Sequence, residues 1–227
     1  MDQPKATTRP AGYSALLDRY AIRAMPNWHR SVVSEGGVRR TDSAAGEVVE
    51  TYPAAYWPGE SPGDHLEFAL KYDGMNLALL AALLPAIGAE EVTRYVNSKP
   101  NGKYARRIWY FYEMLTGDRL SLADLTQGNY VDLLESEENF TSDRAEPIRR
   151  QRVNNNLLGD ASFCPTVRRT TTTSAFIARD LSARCRTLIA SYSPELLRRA
   201  LSYLYTKETK SSFEIENIKP DANRTER

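Results

Sequence analysis

Two textures of hydrophobic spacing succeed one another along the chain. Between residues 31 and 63, the pairs Val32-Val33 and Val48-Val49 are separated by Gly36-Gly37 and Gly46, and Pro53, Pro58, Pro62 and Gly63 follow. β-Branched pairs bounded by glycine and proline predict short strands joined by turns. From Asp64 the spacing becomes helical. Asp64 and Glu67 have the separation of an N-cap and its capping-box partner, ahead of Leu66, Ala69 and Leu70. Leu77, Leu79, Leu80, Leu83 and Leu84 are apolar almost all round, which predicts a central buried helix stopped by Gly88. Tyr104, Ile108, Phe111, Tyr112 and Leu115 form one stripe of a helix over 103–116, with Gly117 at its C-terminal cap. Arg106, Arg107 and Glu113 fall off that stripe, while Trp109 and Tyr110 widen it. Ser174 predicts the start of a helix in which Ile177, Leu181, Cys185 and Leu188 share a face, so Cys185 reads as a small core residue. Ser193-Pro194-Glu195 starts another, with Leu197, Leu201, Leu204 and Tyr205 on its apolar face.

Together these elements predict a mainly α fold, helical bundle-like, with a small β- and loop-rich segment near residues 30–60. Residues 1–12 are expected to be a flexible tail, with Leu16, Leu17, Tyr20 and Ile22 supplying one or two helical turns after it. A mixed, helical N-terminal domain is expected over 13–135, then a helical region over 136–210. The acidic stretch 135–147 reads as an exposed connector. A short motif at 211–217 and a tail at 218–227 complete the organisation.

Composition narrows the function classes. The chain has 227 residues, 41% hydrophobic, with 13 Tyr, 6 Phe and 3 Trp to bury, which excludes wholesale disorder. With 30 basic and 29 acidic residues, the net charge of +1 gives no global attraction to nucleic acid or an anionic membrane. Cys164 and Cys185 have neither zinc-site nor disulfide-framework spacing. The first residues lack an apolar leader, and the run Leu77 to Ile87 is short for a span and contains Pro85. A soluble, cytoplasmic protein without a membrane partner is the expectation. The charge is uneven, however. Residues 144–186 hold nine arginines and three acids, a formal +6. An arginine-rich helical nucleic-acid-binding domain is therefore one reading. The absence of lysine there, and Phe163 and Phe176 standing apart from the arginines, argue against a stacking platform.

Catalytic signatures are scarce. No phosphate-binding loop and no GxGxxG occurs. His29 reads as a strand-edge residue and His65 as a first-turn helix residue. Neither has the sequence context of a base with its orienting acid. Tyr52, Tyr56 and Trp57 read as packing at a core edge, with carbohydrate stacking as the alternative. No catalytic, cofactor-binding or metal-ligating residue is assigned in the chain.

One motif stands apart. Ser212-Phe213-Glu214-Ile215-Glu216-Asn217 fits Ser or Thr, three residues, Glu, then Gly or Asn, and on a helix Ser212 and Glu216 would share a face. Its surroundings, from Tyr203 through Lys210, Ser211, Pro220 and Arg224 to Arg227, resemble the segment preceding the catalytic core in Fic-domain AMP-transferases. Upstream text resembles the N-terminal region of long bacterial Fic proteins: Tyr104-Ala105-Arg106-Arg107-Ile108-Trp109, Tyr112-Glu113, Leu115-Thr116-Gly117, Gln127-Gly128-Asn129-Tyr130, and Arg152-Val153-Asn154-Asn155-Asn156-Leu157-Leu158-Gly159. The family signature His-x-Phe-x-(Asp or Glu)-Gly-Asn-Gly-Arg does not occur in these residues.

The resemblance thus implies an N-terminal regulatory portion, catalytically silent by itself, whose partner is a Fic catalytic core in cis. The alternative is a stand-alone, antitoxin-like module acting on a separate core in trans. ATP and Mg²⁺ are implied for the full-length enzyme, which would transfer AMP to hydroxyls of a protein substrate. Glu216 would block the ATP γ-phosphate position by pairing with a signature arginine, Ser212 would orient the inhibitory helix and Asn217 would end it.

Overall fold

The computed structural model describes residues 8–44 and 46–215, which form two compact units divided after Arg169. The first begins with β1 (Thr8–Ala11) and α1 (Gly12–Arg19), followed by β2 (His29–Ser34), β3 (Arg40–Ala44) and β4 (Glu47–Pro53). The sheet order is β1-β2-β4-β3. The central pair β2–β4 is parallel, with Ser31 opposite Glu50 and Val33 opposite Tyr52, while β1 and β3 run antiparallel to their neighbours. Alternate residues His29, Ser31 and Val33 turn inward and are buried. The strands expected near 30–60 are therefore present. The expected flexible tail over 1–12 is corrected for its last residues. Thr8–Ala11 form an edge strand on β2, where a proline such as Pro10 is tolerated.

Helices follow at α2 (Pro62–Phe68), α3 (Leu77–Ile87), α4 (Ala89–Ser98) and α5 (Lys103–Thr116). The cap of α2 is Ser61, not Asp64: its hydroxyl accepts from the Asp64 N–H at 3.2 Å, and Pro62 is the first helical residue. The chain leaves α2 through a turn of π-helix, Ala69–Asp73, that ends at Gly74. As its spacing predicts, α3 is buried, and it runs through exposed Pro85 to Ile87. α4 was not legible, because its buried Val92, Tyr95 and Val96 span little more than one turn. α5 ends at Gly117 in the left-handed conformation (φ 77°), as expected. α1 to α5 share one apolar core, which Leu120, Leu133, Leu134, Val153 and Leu157 extend.

A second sheet, β5 (Val131–Asp132), β6 (Glu146–Ile148) and β7 (Val153–Asn155), has the order β5-β7-β6. Its backbone ladder crosses the boundary expected at 135, so residues 136–169 belong to the first unit. The fold is mainly α with two small mixed sheets.

The second unit contains α6 (Thr171–Ala178), α7 (Leu181–Ala190) and α8 (Pro194–Ile215). The single helix expected from Ser174 is two. Thr170 caps α6 in a reciprocal capping box with Thr173, and the chain breaks at Asp180, which adopts φ 41° and caps α7 through the Ala183 N–H. Cys185 is exposed, not a core residue. The reason is general to this unit: none of residues 170–208 is buried. α8 starts at Ser193-Pro194 as expected and is continuous into the 211–215 segment.

Candidate functional site

The predicted regulatory residues fall at the end of the described chain. Ser212 lies in the last turn of α8, whereas Glu216 and Asn217 lie outside the described residues. The arginine stretch 144–186 is divided between the two units. Several of its first-unit members have internal tasks. Arg150 makes a two-pronged pair with Glu113 at 2.9 and 3.1 Å and also donates to the Leu120 and Leu122 carbonyls. Arg152 donates to the Gly128 carbonyl at 2.6 Å, and Arg168 stacks 3.5 Å over the Trp28 ring.

Residues off the α5 stripe are drawn inward by polar contacts. Arg106 and Arg107 are both buried. Arg106 donates to the carbonyls of Asn129 and Arg152, and Arg107 to the carbonyl of Asp132 and the Glu135 carboxylate. Glu113 accepts from Trp109 Nε1 at 2.9 Å, the Leu120 N–H at 3.0 Å and Gln151 Nε2 at 2.6 Å as well as Arg150. This polar face organises the loop after Gly117 and the second sheet. Burial alone would raise the Glu113 pKa, but Arg150, Trp109 and the Leu120 N–H hold it below the usual carboxylate value.

A second polar cluster sits under the first sheet. β2 delivers His29 and Ser31, β4 delivers Glu50, and the π-turn projects Asp73 upward from the helical layer. His29 Nε2 lies 3.0 Å from Glu50 Oε2, and its Nδ1 lies 3.5 Å from Asp73 Oδ1. Asp73 also accepts from Ser31 Oγ at 2.5 Å and from the Tyr13 N–H at 3.0 Å. The side chains of His29, Glu50 and Asp73 are 7%, 9% and 1% exposed, so this is a buried charge cluster. Arg39 pairs with the other oxygen of Glu50. The turn itself is pinned by Asn27, which donates to the carbonyls of His29 and Asp73, and by the Tyr13 hydroxyl, which donates to the Gly74 carbonyl.

Burial lowers the affinity of His29 for a proton, but Asp73 and then Glu50 outweigh it, and the imidazole pKa is raised. Burial pushes the Asp73 carboxyl up against the donors that stabilise its ionised form. Burial acts upward on Glu50 too, yet Arg39, Tyr52 and His29 leave its pKa lowered. His65 differs: burial dominates and lowers its pKa, and its ring meets Trp57 edge-on.

Beside His29 is a cavity of about 330 Å³, whose charged lining comprises Lys71, Glu137, Glu138, Arg168 and Arg169, with the Trp28 and Tyr72 rings among the rest of its wall. The cluster is not arranged for nucleophilic catalysis. Ser31 is fully buried and both imidazole nitrogens already face carboxylates. Its chemical capacity is to hold a proton. Among the described residues, no group of three or more His, Cys, Asp and Glu side chains is placed to hold a metal ion, and no helix is long and apolar enough to cross a membrane. Sequence reasoning missed the cluster because Asp73 was not singled out and the parallel β2–β4 register was not legible. The one available signal was the inward period-two placement of His29 and Ser31 ahead of Val33. Tyr52 packs in a small apolar cluster with Ala11, Val33 and Phe68, as the core-edge reading expected. Comparison with family models, curated proteins and solved structures found no match to the chain.

Proposed function

We propose that the chain is the N-terminal regulatory portion of a Fic-type AMP-transferase, in which Glu216 restrains the transfer of AMP from ATP to protein hydroxyls. The observation that carries this reading is the exposed apolar surface of the second unit. Leu181 and Leu188 on α7, and Leu196, Leu201 and Leu204 on α8, are between 44% and 65% exposed. Leucines repeated along adjoining helices without cover are the signature of a surface that receives another body. A catalytic core, in cis or in trans, is the body this reading supplies. α8 also carries the Ser212 segment without a break, so a core seated on it would meet the motif directly.

Three stretches that carry the upstream resemblance lie together in the fold. Arg106 reaches the carbonyls of Asn129 and Arg152, and Arg152 stacks on Tyr130 at 4.7 Å, so three separate stretches of the resemblance meet at one place. In this reading ATP and Mg²⁺ belong to the core.

The test is Glu216→Gly in the chain joined to, or mixed with, a core carrying the family signature. Auto-modification with α-labelled ATP rises by about 5- to 150-fold, the range of a coupling of ~1–3 kcal/mol. Unchanged labelling ends the inhibitory assignment.

A further inference from the structure

We propose that His29, held between Glu50 and Asp73, is a pH-sensitive latch that keeps the 69–75 turn against the first sheet. The argument is one of donors and acceptors. A neutral imidazole has one N–H and one lone pair, whereas an imidazolium has two N–H donors. Nε2 hydrogen-bonds Glu50 at 3.0 Å and Nδ1 lies in ion-pair range of Asp73 at 3.5 Å, so with both carboxylates ionised only the charged ring matches both sides. In the neutral ring, one lone pair points at a buried carboxylate, and low dielectric makes that opposition costly.

Charge balance agrees. Glu50 and Asp73 contribute two negative charges, and Arg39 and protonated His29 two positive ones. From β4, Tyr52 also acts on Glu50. From α1, only the Tyr13 N–H meets Asp73. Across the cavity the charged groups are Lys71, Glu137, Glu138, Arg168 and Arg169, which sum to one positive charge and supply no replacement for the imidazolium proton. Loss of the proton thus leaves one uncompensated negative charge among buried groups. The weak point is Asp73, the group that carries the turn. Lys71, Tyr72, Gly74 and Met75, on the same turn, line one side of the 330 Å³ cavity. Deprotonation loosens that wall.

The experiment is NMR on the unsubstituted 227-residue chain between pH 5 and 9. The chain has two histidines, distinguishable by proximity to different rings: His29 to Trp28 and His65 to Trp57, each with ring centroids 5.2 Å apart. Expected is a His29 midpoint above 6.5 with both ring N–H groups present below it. The Tyr13 amide, which donates to Asp73, then loses exchange protection across the same titration, after correction for intrinsic exchange. The loss is about tenfold for each pH unit by which the midpoint exceeds 6.5. Asp73→Asn lowers the midpoint. A His29 midpoint at or below 6.5, or Tyr13 protection that does not follow His29, overturns the latch.

Discussion

At Gly12 the backbone is left-handed (φ 61°), and an added Cβ would stand 2.0 Å from Asp73 Oδ2. Gly12→Ala combines backbone strain with eviction of a buried carboxylate. We expect a loss of at least about 1–3 kcal/mol in urea unfolding, with the His29 signals broadened or shifted. Glu113 and Arg150 are the other demanding residues. Their side chains are 17% and 13% exposed, and Glu113→Gln removes the more buried of the two carboxylates that pair with Arg150, leaving the more exposed Asp124. Because Asp124 still offsets the guanidinium, the expected cost is below the ~3 kcal/mol of an uncompensated buried charge, read as a lower urea midpoint. The acid limb of stability follows from the same chemistry. Glu50 and Glu113 both have pKa values below their ordinary 4.5, so their contribution is complete above that value and fades as pH falls through the folded-state pKa. His29 acts in the opposite sense: its contribution is complete below 6.5 and fades as pH rises through its raised pKa. The window in which the His29–Glu50 pair contributes fully is therefore pH 4.5–6.5, and Glu50→Gln flattens both edges of a thermal-melt profile against pH.

Elements with strong local codes were readable, and those defined by partners were not. α3 and α5 announce themselves through leucine density and an aromatic stripe, each followed by glycine. The second sheet is made of strands of two and three residues, too short for any periodicity to register, and only pairing between distant segments creates it. The buried arginines of α5 show the same principle. Arg106 and Arg107 sit off the apolar stripe, yet loop carbonyls surround their guanidinium groups, a fact set by tertiary approach. The break between α6 and α7 was hidden because Asp180 looks like an ordinary surface residue until its left-handed conformation is known. Substitution Leu83→Ala tests the legible part: full burial in α3 makes the expected cost about 2–5 kcal/mol, measured by chemical denaturation.

At the scale of the molecule, stability and the proposed regulation reside in different units. The buried residues lie in the first unit, and α7 and α8 present uncovered leucines. Leu201→Lys with Leu204→Lys should leave the first unit's unfolding within about 0.5 kcal/mol of the parent, as for surface changes. The same pair should abolish co-purification with a Fic core if that surface receives it. The motif at 211–217 was legible as a pattern of residue types, but its action lies in what it meets, which no single chain's periodicity encodes.

The contact of the Tyr13 amide with Asp73 joins residues 60 positions apart. On a ribosome adding about 5–20 residues per second, the first strand and helix wait about 3–12 s for the turn that completes them. The strand that pairs with Thr8–Ala11 is complete by Ser34, but until residue 73 is added the Tyr13 N–H at the start of α1 lacks its carboxylate acceptor. Folding of α1 during synthesis thus depends on later sequence, and slowing translation between residues 13 and 73 lengthens the exposure of the incomplete β1–α1 region to proteases and chaperones.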